Sequence, residues 1–100
     1  MTTEADIQAN YIKWVNGTHP NDAHAFKIAA VGRVGYPDTL TIIRVKREGT
    51  VPLFIEFKSA TGVVSPIQRH IIDKLRGYGA YVSVCASLHE AKEVFYGVYR

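Results

Sequence analysis

The sequence holds a single cysteine, Cys85, among 100 residues. That excludes an intramolecular disulfide and any thiolate-based zinc site. Cys85 ends the apolar run Tyr81-Val82-Ser83-Val84-Cys85 and reads as a buried strand residue in a reducing, intracellular setting. His19, His24, His70 and His89 have no ligand-like spacing, so they are read as non-metal. No apolar run approaches the roughly 18 residues that cross a bilayer. The N-terminus lacks the charged-then-apolar pattern of a secretory signal. A soluble, cytoplasmic protein without a membrane association is therefore expected. Charge of one sign is also scarce: a net +3 and a pI near 9.1 lean basic without identifying a nucleic-acid partner. There is no repeat, low-complexity tract or linker, so residues 1–100 are expected to form one domain. A hydrophobic content of 47% with 11% aromatics is ample for its core and leaves apolar surface for a partner subunit.

The hydrophobic pattern predicts seven elements. Residues from about Thr3 to Asn16 place Ile7, Tyr11, Trp14 and Val15 on one helical stripe, which Asn16-Gly17 ends. His24 to Val31 reads as a strand, Thr39 to Val45 as a second, β-branched one, and Val51 to Ser59 as a third after the polar turn Lys46-Arg47-Glu48-Gly49. Ser65 and Pro66 supply the N-cap and first position of a second helix. Its apolar stripe is Ile67, Ile71, Leu75 and Tyr78, and Gly77 and Gly79 stop it. Ala80 to Ala86 is a fourth strand, and Leu88 to about Tyr96 a closing helix capped by Ser87. The order α-β-β-β-α-β-α, three meandering strands and a crossover helix leading to a fourth, predicts an α/β fold: a mixed four-stranded sheet flanked by helices.

Chemistry concentrates in Gly35-Tyr36-Pro37-Asp38 and in Glu56-Phe57-Lys58. Side chains two apart on a strand share a face, so Glu56 and Lys58 should project together, opposite Leu53, Ile55 and Phe57. A charge pair in so apolar a strand is costly unless something compensates it. Strands two and three should pair antiparallel across their short turn. Asp38 would then lie beside Glu56, roughly 5–6 Å away at the backbone. Two carboxylates that close repel unless a cation lies between them. Mg²⁺ suits such a site, with a couple of carboxylates, waters and a substrate phosphate. Glu56 would hold the metal, the Phe57 carbonyl would be a third ligand, and Lys58 would orient water or stabilise charge on phosphate oxygens. The same Asp38 could be ordinary turn chemistry after proline, and Glu56 with Lys58 an edge-strand pair that blocks aggregation.

Two further residues stay open on chemistry alone. Ser65-x-x-Gln68 is a capping box, yet a helix N-terminus shortly after Lys58 would also let Gln68 contact water or phosphate. Glu4 offsets the first helix dipole, but at the margin of the buried stripe it has room for a metal or water contact. Arg33, Arg44, Lys46 and Arg47 cluster near the first hairpin, and Arg69, Lys74 and Arg76 lie on the second helix. They are solvated surface charges or, around a phosphodiesterase site, contacts to DNA backbone. Tyr36 could stack on a base or pack against protein.

Glu4, Gly35-Tyr36-Pro37-Asp38, Glu56-Phe57-Lys58 and Gln68, continued by Gly77-Tyr78-Gly79-Ala80-Tyr81-Val82, together resemble the VRR-NUC domain. This viral-type replication-repair nuclease is a branch of the PD-(D/E)XK superfamily. A lone E-x-K would be weak, but the matched elements run in order over nearly the whole chain. The resemblance implies a restriction-endonuclease-like core with Asp38, Glu56, Lys58, Gln68 and Glu4 as catalytic residues. Asp38, Glu56, the Phe57 carbonyl and, further, Glu4 would face Mg²⁺ or Mn²⁺, with no small-molecule cofactor. Arg33, Tyr36, Arg44, Lys46, Arg47 and Arg69 would meet DNA. Stand-alone domains of this length look like phage or prophage proteins, which would place this one in a host cytoplasm. In the family they are homodimers that cut branched DNA, including Holliday junctions.

The leading expectation is thus a metal-dependent, structure-selective endonuclease, a homodimeric junction resolvase. The alternative is a flap, nick or single-strand nuclease of the same chemistry. A non-catalytic DNA-binding module would be marked by a lost acid or lysine, and none is lost. Tyr11, Trp14, Phe95, Tyr96 and Tyr99 carry more aromatic surface than a small core obviously needs, and are expected to contribute to a dimer interface, the first helix foremost.

Overall fold

A computed structural model describes residues 3–28 and 34–100. Helix α1 spans Glu4–Thr18, β1 Ala23–Lys27, β2 Thr39–Val45, β3 Gly49–Phe57, α2 Pro66–Gly77, β4 Tyr81–Cys85 and α3 Leu88–Tyr99. The expected order therefore holds. Of the predicted first strand, residues 29–31 lie outside the described residues. The sheet runs β1-β2-β3-β4, antiparallel at the first two junctions and parallel between β3 and β4, with α2 as the crossover.

Local chemistry sets the ends. Thr3 and Asp6 close a capping box at the start of α1. The helix runs past Asn16-Gly17, beyond the expected end, because the Asn16 amide is anchored on β1. It donates to the Ala25 carbonyl and accepts from the Ala25 N–H, each at 2.9 Å. Those tertiary bonds outweigh the poor helix propensity of the pair. The β2–β3 turn is Lys46-Arg47-Glu48, since Val45 pairs with Gly49. Gly49 takes a φ of +80°, as in a three-residue hairpin with a left-handed closing position. So β3 starts two residues earlier than Val51, and its ladder ends at Phe57.

The two sheet faces are covered differently. Ala23, Ala25, Ile43, Val45, Leu53, Ile55, Phe57 and Cys85 form one apolar cluster with Ile7, Tyr11 and Val15 of α1 and Ala91, Phe95 and Val98 of α3. Fully burying each larger side chain contributes about 1.5–3 kcal/mol. Burial pushes the Cys85 thiol up to about 12, so it is inert, as its apolar run implied. On the opposite face, Ile71 and Ile72 of α2 and Val82 of β4 are buried outside that cluster. Arg76 reinforces this seam by donating to the Val82 carbonyl from Nη2 at 2.9 Å. The expected stripe on α2 is corrected accordingly. Ile67 and Tyr78 are exposed, because α2 lies against β4 through Ile71 and Ile72.

Of the aromatic residues expected at an interface, Trp14, Tyr96 and Tyr99 are partly exposed while packing on their neighbours. Tyr11 and Phe95 are fully buried. Trp14, Phe95, Tyr96, Tyr99 and His19 pack ring against ring across α1 and α3, with Trp14 and Phe95 centroids 5.3 Å apart. Among the described residues no helix is long and apolar enough to cross a membrane.

Candidate active site

The β2–β3 register brings the two acids together. Thr39 is opposite Ile55, so Asp38, one step before β2, falls opposite Glu56, near the end of β3. The loop carrying Asp38 is fixed by close packing. Gly35 has a φ of +90° and a Cβ there would fall 2.9 Å from Ile67 Cγ1 and 3.0 Å from the Ile67 carbonyl oxygen. Only glycine lets the backbone approach the first turn of α2 so closely. Asp38 Oδ2 then accepts a hydrogen bond from the Phe57 N–H at 3.2 Å.

Glu56 is the electrostatic centre. It is 3% exposed, on the α2 side of the sheet. Its Oε2 accepts from Gln68 Nε2 at 3.2 Å and faces Lys58 Nζ at 3.5 Å. Its Oε1 is buried and has no hydrogen-bond partner. Burial pushes its carboxyl from 4.5 up to about 7; the negative charge of Asp38 adds to the rise and Lys58 opposes it. Glu56 and Lys58 do project together, as strand alternation predicted, although Lys58 lies just past the end of β3.

Gln68 fills the expected capping role and, with the other end of its amide, makes a contact to Glu56 that the sequence did not suggest. Its Oε1 accepts from the Ser65 N–H at 3.0 Å, closing the capping box, while Nε2 holds Glu56. Glu4 reaches the far side of Lys58, where its Oε2 accepts from the Ser59 N–H at 2.9 Å. The Phe57 carbonyl is oriented by its neighbours. In a strand a residue's N–H and C=O point the same way, and the Phe57 N–H is directed at Asp38. The next peptide N–H, Lys58, turns the other way to Cys85 O at 3.0 Å. The Phe57 carbonyl therefore lies on the Asp38 side.

These donors fit a hard divalent cation: two carboxylates, one with a partnerless buried oxygen, and a carbonyl directed toward them. Among the described residues no group of three or more His, Cys, Asp or Glu gathers, so the other positions of an octahedron would fall to water and substrate.

The basic residues divide. Arg69 is exposed beside Gln68, and Tyr36 is half-buried two residues before Asp38. Arg33 lies outside the described residues. Arg44, Lys46 and Arg47 occupy the opposite end of the β2–β3 hairpin, where Arg44 pairs with Thr50, about 20 Å along the strand from Asp38. They line a cavity of about 770 Å³ with Asp22, Tyr99 and Arg100. Sequence reasoning missed Gln8, whose side chain holds the Asp38 peptide. The available signal was a polar residue one turn after Glu4, directly beside Ile7 on the apolar stripe.

Two opposed carboxylates and a lysine thus gather at the strand ends of a mixed sheet with helices on both faces. The chain belongs to the VRR-NUC family, whose VRR-NUC domain model matches residues 3–88. With membership comes the broad class of a nuclease acting on DNA. A solved structure described as a VRR_NUC domain is similar at a TM-score of 0.71 and 26% identity, covering 93% of this chain and 95% of that one. Another, described as a VRR_NUC domain protein, is similar in fold at a TM-score of 0.68 and 24% identity, covering 93% and 84%. No match is found among proteins of curated function.

Proposed function

We propose that this chain is a Mg²⁺- or Mn²⁺-dependent endonuclease of branched DNA that works as a homodimeric Holliday-junction resolvase in a cytoplasm. The observation that carries the metal-dependent chemistry is the buried, partnerless Oε1 of Glu56 beside Asp38, with Lys58 and Gln68 converging on Glu56 Oε2. Asp38, Glu56 and the Phe57 carbonyl would hold the cation. When bound, it would polarise the scissile phosphate and acidify a water molecule. Lys58, half-buried with its Nζ 3.5 Å from Glu56, orients that water or stabilises negative charge growing on the non-bridging phosphate oxygens. Gln68 keeps Glu56 Oε2 turned toward α2, leaving Oε1 directed into the site. Glu4 steadies the backbone just after Lys58 through Ser59.

Tyr36 and Arg69 would contact DNA near the cut, and Arg33, outside the described residues, is proposed only as a further DNA contact. Arg44, Lys46 and Arg47 would meet the backbone of a duplex arm about six base pairs away, given roughly 20 Å of strand and 3.4 Å per base pair. Branched DNA and a dimer are supported by symmetry: a four-way junction is approximately two-fold, one chain offers one such acid pair, and paired cuts need two chains. One observation favours the alternative, a flap or nick nuclease acting as a monomer: the α1 and α3 aromatics are already packed within the chain. A cleavage panel of four-way, flap, single-strand and duplex DNA with Mg²⁺ and Mn²⁺, alongside light scattering, tests the choice. Paired cuts by a species of twice 11.1 kDa support the resolvase; single nicks by a monomer, free and on junction DNA, replace it with the alternative.

A further inference from the structure

Gln8 is only 9% exposed, an unusual place for a primary amide on a helix that buries Ile7 and Tyr11. Such burial is costly unless the amide is hydrogen-bonded. Its Nε2 donates to Thr39 Oγ1 at 2.8 Å and to the Asp38 carbonyl at 3.3 Å. That carbonyl also accepts from the Ile28 N–H at 2.8 Å, and the Asp38 carboxylate is held by the Phe57 N–H. Asp38 is thus gripped from the end of β1, from α1 and from β3, and Gln8 is the side chain among those donors. One turn earlier, Glu4 holds Ser59. The first two turns of α1 therefore reach both walls of the site, beside Asp38 and beside Lys58.

We propose that Gln8 is a positioning residue: it fixes α1 against the start of β2 and so holds the Asp38 carboxylate where it and Glu56 can share a divalent cation. This rests on the reading of Asp38 and Glu56 as cation ligands. The competing account is that Gln8 serves stability alone, and its neighbour separates the two. The Tyr11 and Thr41 hydroxyls, 2.6 Å apart and buried, link the same helix to the same strand without touching Asp38. Removing a group that orients metal ligands typically costs 10–100-fold in affinity or activity.

The test is Mn²⁺ binding, followed by the electron paramagnetic resonance signal of free Mn²⁺, on the wild type and on Gln8→Leu, Gln8→Leu/Thr39→Val and Tyr11→Phe, with melting temperatures. The double variant replaces both hydrogen-bonding partners by apolar groups of similar shape, a change that can be nearly neutral for stability. Both Gln8 variants are expected to bind Mn²⁺ about 10-fold or more weakly and to lose kcat with little change in KM for DNA. Tyr11→Phe should keep the wild-type Mn²⁺ affinity whatever its melting temperature. Gln8 variants that bind Mn²⁺ like the wild type overturn the proposal. So does a Tyr11→Phe that loses affinity equally, which would make the link purely structural. Should Gln8→Leu fail to fold, Gln8→Asn, shortened by one methylene, is held to the same criterion. A wild type that binds no Mn²⁺ would overturn the cation reading itself, an outcome distinct from wild-type-like binding by the Gln8 variants.

Discussion

Without a cation, Glu56 should make the fold progressively less stable as the pH rises. The residue is 3% exposed, and its carboxyl has one partnerless oxygen and is pushed from 4.5 up to about 7, by burial first and by Asp38 second. The folded protein therefore keeps a proton that the unfolded chain releases above about 4.5. Stability gained from that proton is complete below the unfolded value and is lost as the pH rises through about 7. A difference of this size is worth on the order of 3 kcal/mol. For a domain near this length, that corresponds to roughly 10–20 °C in melting temperature. Other groups titrate too, so the informative quantity is the gap between the wild type and Glu56→Gln, a neutral isostere, melted in EDTA by circular dichroism from pH 4.5 to 8.5. The gap should be small at the acid end and widen in the variant's favour, to about 10 °C or more, by pH 8. Added Mg²⁺ or Mn²⁺ should then raise the wild type at pH 8 and leave the variant nearly unmoved. A gap independent of pH would refute the claim that Glu56 is a buried carboxylate whose charge Lys58 offsets only in part.

Lys58→Ala should slow cleavage by about 10²-fold or more with metal binding nearly unchanged, and calorimetry showing lost metal with normal turnover would contradict its role. Gly35→Ala sets a methyl against Ile67 and strains a φ of +90°; it should destabilise by about 1–2 kcal/mol and, by displacing the α2 start that carries Gln68, lower kcat by about 10–100-fold, whereas a wild-type rate would show that this contact does not set the site. Charge reversal at Lys46 and Arg47 should weaken DNA binding and flatten its salt dependence, by about one unit of slope per lost phosphate contact. The defect should vanish on substrates whose arms are shorter than about six base pairs, and an equal defect on short arms would place those residues at the cut instead.

Much of the fold could be read from local pattern because local chemistry dominates it. The alternation of Leu53, Ile55 and Phe57 against Glu56, and the Ser65-Pro66 cap, each determine their element within a few residues. The Asp38–Glu56 pairing followed from hairpin register alone, since a short turn leaves the antiparallel ladder little freedom. What escaped the sequence depends on tertiary packing. The Asn16 anchor on Ala25 extends α1, and the Gly35–Ile67 approach joins a loop to the start of a helix far away in the chain. Gln8 looks like a surface residue until the helix is docked on β2. Distance from the acids was also hidden: Arg44, Lys46 and Arg47 follow Asp38 closely in sequence, yet β2 carries them to the hairpin end of the sheet. Composition likewise does not reveal that Tyr11 and Phe95 are fully buried while Trp14, Tyr96 and Tyr99 pack together and stay partly exposed.

The central claim is that Asp38 and Glu56 form a cation-dependent hydrolytic site. Its most direct test is cleavage of labelled four-way junction DNA by the wild type, Asp38→Ala and Glu56→Ala, at saturating Mg²⁺ or Mn²⁺ and in EDTA, with DNA binding measured in parallel. The wild type should cut only with metal. Either alanine variant should fold, bind the junction and leave it uncut, since each loses a cation ligand while relieving carboxylate repulsion. Full cleavage by either variant at saturating Mg²⁺, or undiminished wild-type cleavage in EDTA, would contradict the account.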